Sequence, residues 1–274
     1  MQNNCLIFLI HGKNLRDLFE NCLISLQNTN TKIDKIAYCS NQSADSYKDI
    51  CAKYSVKQLT IDIELGAENY SPFETTAFNI VTSYKWQIIL DTIAQGYENV
   101  IYADTDIVFL KDFDSYVSSV AEIYDFGVQS ESQPTFPVTA CTGFMFFNKK
   151  AKGFVERVLR ENANDRISNN DQGAFNSFIR NSPALSKDMY FFPEALFQNG
   201  LHYKNYLKGR KLWFMDTDLK PFLFHANYVR GLKFKIKLLR GIGLWYVSKQ
   251  RRAQGMRRYM PPFILSLVSG RMQR

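Results

Sequence analysis

Two aspartates one residue apart, Asp104 and Asp106, follow a short apolar run (Val100, Ile101, Tyr102, Ala103) and precede another at 107–110. In an extended strand alternate side chains share a face, so residues two apart point the same way. As the strand ends, both carboxylates can meet at one point. Ligands of open α/β sheets gather at the carboxyl ends of strands, and two hard oxygen ligands there suit Mg²⁺ or Mn²⁺ bridging a diphosphate. The same pair also fits turn residues capping a loop. Acids without partners are uncommon beside core strands.

Other polar residues stand on or beside the apolar elements: Lys85 on the preceding helix, Asp171-Gln172 at a later helix start, and His225 followed by Asn227, Gly231 and Lys235. Each has a structural reading. Lys85 could snorkel from a helix face, Asp171 after Asn169-Asn170 could cap its helix, and His225 behind Phe222-Leu223-Phe224 could be a hydrogen-bonded core residue. Gly143 could mark a bulge.

The elements that must carry these groups are legible as alternation. Apolar runs at 5–10, 33–39 and 56–61 read as strands. Between them, 15–26 places Leu15, Leu18, Phe19, Cys22, Leu23 and Leu26 at helical spacing, and 43–54 reads as a second helical segment. The pattern predicts βαβ units and an α/β fold with a mostly parallel central sheet. A polar loop at 64–72 precedes a long helix through Tyr84, Trp86, Ile89, Leu90 and Ile93, with Gly96 as its C-cap. Strand 99–103 leads into the two acids. Later come a strand at 141–148, helices at 150–162 and 171–180, and strands at 189–192, 212–215 and 222–225, with Phe191, Phe192, Trp213 and Phe214 as core. There is no internal repeat. One domain over 1–247 and a basic, aromatic tail over 248–274 is the predicted organisation.

With 46% hydrophobic and 15% aromatic residues in 274, the composition is that of a folded domain rather than a disordered chain. Five scattered cysteines with no C-x-x-C spacing argue against zinc and disulfides and predict a reducing compartment. The apolar run at 6–10 is too short for a signal peptide, and no stretch approaches the roughly 18 apolar residues of a membrane span. A cytoplasmic protein is the expectation. The net charge of +8 is unevenly placed: 219–274 holds thirteen Lys and Arg and no acid, leaving the first 218 residues net acidic. In that tail Arg251, Arg252, Arg257 and Arg258 interleave with Tyr246, Tyr259, Phe263, Ile264, Leu265 and Leu267, a mixture suited to the inner face of an anionic membrane. A solvated basic end is the plainer alternative. A nucleic-acid footprint is disfavoured, because the acidic remainder shows no recognisable module for it.

The stretch from Gly96 to Phe113 around Asp104-Thr105-Asp106 resembles the metal-binding segment of GT-A glycosyltransferases, closest to families 8 and 77. The likeness continues in order through Thr142-Gly143-Phe144-Met145-Phe146-Phe147-Asn148, the strand that helps shape the acceptor side; Asp171-Gln172-Gly173-Ala174-Phe175-Asn176, similar to the family 8 pattern D-Q-x-x-x-N; and His225-Ala226-Asn227 with Gly231 and Lys235. The resemblance implies a GT-A fold and sugar transfer from a nucleotide diphosphate donor to a glycan, lipid-linked or protein acceptor, with retention of configuration. It assigns Asp104, Asp106 and His225 to a divalent ion, the nitrogen ligand favouring Mn²⁺ over Mg²⁺. Thr105, Asn227, Gly231 and Lys235 join them at the donor, and Lys85 stands near it. Asp171 would bind donor hydroxyls, with Gln172 near the anomeric carbon. Base contacts would come from His11, Gly12 and Ser40. The chain departs from family 8 in its wider His, Gly and Lys spacing and in lacking Pro-Trp after the lysine, which leaves Lys233, Lys235 and Lys237 as alternatives for the phosphate. Bacterial family 8 enzymes acting on lipid-linked acceptors carry comparable tails. Asp104-Thr105-Asp106-Ile107-Val108 also resembles the first motif of haloacid-dehalogenase phosphatases, with Asp104 as nucleophile. That alternative requires a distal acidic pair, for which Asp216 and Asp218 are the late candidates.

Overall fold

A computed structural model describes residues 3–63, 65, 72, 73, 75–131, 139–165, 169–201 and 221–247. Most of the predicted loop at 64–72, the strand at 212–215 with Trp213 and Phe214, Asp216 and Asp218, and the tail at 248–274 lie outside the described residues.

Strand β1 (Asn4–Ile10) is buried along its whole length, and its alternate side chains feed two different cores. Leu6, Phe8 and Ile10 pack on one face; Cys5, Ile7 and Leu9 pack on the other. A strand apolar on both faces needs helices above and below it, the condition for a parallel sheet. Helices α1 (Arg16–Asn28) and α4 (Asp114–Ala121) bury residues in the first core. Helices α3 (Thr76–Ala94), α5 (Lys152–Asp165) and α6 (Asp171–Asn181) cover the second, where Trp86 of α3 stacks on Phe175 of α6 at 5.2 Å.

The main sheet runs β3-β2-β1-β4-β7-β6-β8, with β2 (Asp34–Ser40), β3 (Lys57–Ile61), β4 (Asn99–Ala103), β6 (Phe126–Ser130), β7 (Ala140–Asn148) and β8 (Met189–Phe192). Only β7 runs against its neighbours, so the sheet is mostly parallel as expected. Some local readings need correction. The segment 43–54 is a 3₁₀ turn (Ala44–Tyr47) followed by a short helix, α2 (Lys48–Lys53). Helix α3 is capped by Gln95, and Gly96 follows with φ 93°, supplying the left-handed residue that ends the helix.

A second sheet, absent from the sequence reading, orders β5 (Ile107–Phe109), β10 (Leu223–His225) and β9 (Phe197–Asn199). It is what assembles the site. The chain leaves β4 at Asp104, turns tightly with Ile107 N donating to Asp104 O at 3.2 Å, and enters β5. Ile107 lies opposite His225 on β10, and Ala226 N donates to Asp106 O at 3.1 Å. The turn between the acids is therefore the hinge between two sheets. Helix α7 (Leu232–Gly241) follows β10 and starts from Gly231, whose φ of 87° suits glycine.

Candidate active site

Ligand atoms of Asp104, Asp106 and His225 all lie within 4.8 Å of one another. His225 Nε2 stands 3.2 Å from Asp106 Oδ1 and 3.7 Å from Asp104 Oδ2. The far side of the ring fixes its orientation. Gln129 Nε2 donates to the carbonyls of Phe197 and Gln198 at 3.1 and 3.0 Å, so its Oε1 is the atom that meets His225 Nδ1 at 2.9 Å. Nδ1 must then donate, which leaves Nε2 facing the acids. A buried carbonyl that orients a histidine in this way is the usual partner of a metal-binding imidazole.

Two lysines complete the charge pattern. Lys85, 4% exposed, bridges Asp104 Oδ1 at 3.2 Å and Asp171 Oδ2 at 3.0 Å and donates to Thr142 O at 3.3 Å. Its ammonium also sits 4.9 Å from the Tyr102 ring centroid, and Tyr102 Oη donates to Asp104 Oδ1 at 2.8 Å. Lys235 donates to Asp106 Oδ2. Lys233 and Lys237 are exposed, so among the three alternatives Lys235 is the lysine that reaches the cluster.

Buried charges persist only when paired, and the pairing here runs in one sense. Burial opposes the Lys85 charge, yet Asp104 and Asp171 outweigh it and hold the ammonium above the ordinary lysine range. Burial likewise opposes ionised Asp106, but Lys235 and His225 keep it far below the usual carboxylate range. For His225 burial again works against charge, and Asp106 leads the groups that raise the imidazole to about 10.

Asp171 is buried at the first position of α6 and accepts from Thr142 Oγ1 at 2.6 Å. It does not cap the helix. Asn170 does, accepting from Gly173 N at 2.8 Å, which leaves Asp171 for Lys85 and Thr142. Gln172 Nε2 donates to Glu131. Asn227 Oδ1 accepts from Gly200 N at 2.6 Å and its Nδ2 reaches Cys141 Sγ at 3.5 Å, so this residue fixes the turn after β10. These groups and Thr105 line one cavity of about 470 Å³, whereas Gly231 serves by starting α7. His11 also lines the cavity; it is buried, and among the described residues neither ring nitrogen has a hydrogen-bond partner. Burial lowers its pKa, which favours the neutral ring. Ser40 does not line the cavity and is bonded to Ser43 at 2.8 Å.

Sequence reasoning missed Gln129, Glu131 and the reason for Gly143. Strand β6 loses register with β7 between Val128 and Gln129, opposite the stretch containing Gly143. The bulge reading of Gly143 thus has support, but the larger constraint is space. A Cβ there would stand 2.1 Å from His225 Cε1 and 2.9 Å from Asp104 Oδ2. Gly143 also receives Asp104 N on its carbonyl at 2.8 Å. A lone glycine inside a strand of larger side chains, between Thr142 and Phe144, was the one signal available in the sequence.

Comparison with known proteins agrees with this geometry. Residues 45–239 match the sequence model of the nucleotide-diphospho-sugar transferases. A UDP-D-xylose:L-fucose α-1,3-D-xylosyltransferase of Arabidopsis thaliana, MGP4, is 27% identical over 235 residues, covering 78% of this chain and 63% of the relative. A UDP-galactose:fucoside α-3-galactosyltransferase of Dictyostelium discoideum is 24% identical over 207 residues, covering 66% of this chain and 30% of its own. The chain therefore spans less than two thirds of these relatives' length. In fold it is similar to the galactosyltransferase LgtC, with a TM-score of 0.57 at 12% identity, covering 82% of this chain and 88% of LgtC. The glycosyltransferase GlyE of Streptococcus pneumoniae is similar with the same TM-score at 14% identity, covering 84% of this chain and 56% of GlyE. The phosphatase alternative has no support from these matches, and Asp104 is tied to Lys85, Tyr102 and His225 rather than standing as a free nucleophile. A chain matched over 195 residues by one family model, with that family's kind of fold, belongs to the nucleotide-diphospho-sugar transferases.

Proposed function

We propose that this chain transfers a sugar from a nucleoside diphosphate to a hydroxyl of a glycan acceptor, using a divalent ion held by Asp104, Asp106 and His225. The observation that carries this reading is the convergence of those three groups within 4.8 Å on a cavity that also holds Asp171 and Gln172. An ion with ligands at about 2.1 Å holds them within about 4.2 Å of one another, so small side-chain adjustments close the set. The imidazole ligand favours Mn²⁺ over Mg²⁺. When bound, the ion supplies Lewis-acid stabilisation to the departing diphosphate.

The chain's own groups do the rest. Lys235 brings a positive charge to the same place, where negative charge grows as the donor's C1–O bond breaks. Asp171, anchored by Lys85 and Thr142, offers its remaining lone pairs to donor hydroxyls. Gln172 lies beside it, at the anomeric carbon. Retention follows if the acceptor oxygen attacks from the face the phosphate leaves and its proton passes to the departing phosphate oxygen. The relatives named above use UDP-xylose and UDP-galactose with fucose-containing acceptors. UDP is accordingly the proposed donor nucleotide, with neutral His11 at the nucleoside end, and fucosides are the first acceptors to try.

Thermal stabilisation tests the reading. UDP at about 100 times its Kd should add ~2.7 kcal/mol, raising Tm by roughly 5–10 °C in a chain of this size. The shift should need Mn²⁺ and vanish in Asp106→Ala. No shift with UDP or GDP at any Mn²⁺ concentration would overturn it.

The proposed membrane contact rests on the composition of 248–274 and on α7, which exposes Phe234 among Lys233, Lys237 and Arg240. Among the described residues no helix is long and apolar enough to cross a membrane, so a surface contact is the form proposed. A cytoplasmic site for it accords with five buried free thiols.

A further inference from the structure

Among the described residues, four carboxylates line the cavity: Asp104, Asp106, Glu131 and Asp171. Three face cations, with Lys85 between Asp104 and Asp171, and Lys235 and His225 on Asp106. Glu131 is different. Among the described residues no lysine or arginine pairs with it, and its carboxylate accepts from Nε2 of Gln172. Its own backbone is held on both sides: Glu131 N donates to Thr139 O at 2.8 Å, and Glu131 O accepts from Tyr228 Oη at 2.9 Å and from Asn199 Nδ2 at 3.3 Å.

An ionised carboxylate can only accept hydrogen bonds, and a glutamine amide has one donating and one accepting end. Glu131 therefore dictates which end of Gln172 it takes. The nitrogen turns towards Glu131, and Oε1, the negative end of the amide dipole, is left for the cavity. In the opposite orientation the N–H₂ end would face a sugar carbon that becomes positive as the phosphate departs. On the transferase reading above, we infer that Glu131 is a positioning residue that fixes the Gln172 amide with Oε1 towards the donor's anomeric carbon.

The arrangement responds to pH in a definite sense. Burial raises the Glu131 pKa, partly offset by His225, Tyr228 and Gln172. Of the other titratable groups nearby, Glu194 bonds Ser130 at 3.3 Å. Protonated Glu131 can donate to Oε1, which removes the reason for the amide's orientation, so turnover should fail on the acid side at a pH above the ordinary carboxylate range.

The direct test is the Gln172 side-chain amide resonance in protein carrying ¹⁵N-glutamine, assigned by its absence in Gln172→Ala. It should move as Glu131 is protonated, at a pH above the ordinary carboxylate range, and should not do so in Glu131→Gln. A Gln172 amide indifferent to pH in the wild type overturns the inference, and this observation needs neither donor nor turnover. The kinetic arm uses UDP-xylose and UDP-galactose as probes. Misplacing an aligned group costs about 100-fold in rate, so Glu131→Gln should lose about that factor in kcat while binding UDP with Mn²⁺ as the wild type does. Wild-type turnover in Glu131→Gln would overturn the inference alone. Failure of the wild type to bind either UDP or GDP with Mn²⁺ would overturn the transferase reading and the inference with it.

Discussion

At the scale of single residues the site is a set of compensated charges, and its weak points are where compensation depends on space or protons. Gly143 is the clearest. Alanine there would drive a Cβ into His225 Cε1 and towards Asp104 Oδ2. The ring and carboxylate must then shift, and Mn²⁺ affinity should fall by roughly 10–100-fold, the usual cost of disturbing groups behind a metal ligand, with little change in fold. A manganese titration of Gly143→Ala checks this; unchanged affinity would mean that Gly143 does not back the ligand set. His225 supplies a pH prediction. Its folded pKa is raised to about 10, so at neutral pH the metal-free ring is protonated. Asp106 is held far below that range and does not titrate alongside it. Binding an ion through Nε2 must displace the proton, so affinity should rise by up to about tenfold per pH unit between pH 7 and about 10, with one proton released into weakly buffered solution. Stability without metal runs the opposite way: the His225–Asp106 contribution is complete below the ordinary histidine pKa and is lost as pH rises through about 10.

Among the elements, the short strands and turns decide the site more than the long helices do. Residues 99–103 and the acids beyond them were legible because carboxylates at the end of a buried apolar run are costly unless something pairs with them. His225 and Lys235 were legible by type and order but not by contact, since a lone histidine on an apolar strand reads equally well as core. Gln129 and Glu131 were not legible at all. They lie on and just after β6, a five-residue strand whose buried polar side chains break the expected alternation. Their partners, His225 and Gln172, are 96 and 41 residues away, distances at which periodicity carries no information. The second sheet escaped for a similar reason: β5, β9 and β10 are three residues each. Helix α3 was read correctly as long and apolar, and its anchor is testable. Trp86 is fully buried, stacks on Phe175 and meets Phe147 edge-on at 6.2 Å. Trp86→Ala should cost roughly 3–5 kcal/mol, seen as a lower denaturation midpoint. Because α3 also carries Lys85, the variant should weaken the link between Asp104 and Asp171 as well.

For the whole molecule, the sequence pattern of alternating strands and helices was enough to place the sheet, because each buried strand demands helices on both sides. The order of strands beyond β4 was not, since it depends on the reversed β7 and on pairings between segments distant in the chain. Charge is also a property at this scale. All of the excess positive charge lies after residue 218, and α7 carries part of it at the exposed positions Lys233, Lys237 and Arg240. Removing 248–274 should reduce sedimentation with vesicles containing anionic lipid, more at low salt than at high, while leaving UDP binding intact. Equal sedimentation by the truncated and full chains would contradict the membrane contact without touching the active site.

The most direct test of metal-assisted transfer is release of UDP from UDP-xylose and UDP-galactose, with an L-fucoside as acceptor, by the wild type and Asp106→Ala. We predict release and a new glycoside with the wild type only when Mn²⁺ is supplied, and neither with Asp106→Ala at an unchanged circular-dichroism spectrum. Release that persists in Asp106→Ala, or that ignores Mn²⁺, would contradict transfer assisted by an ion at Asp104, Asp106 and His225.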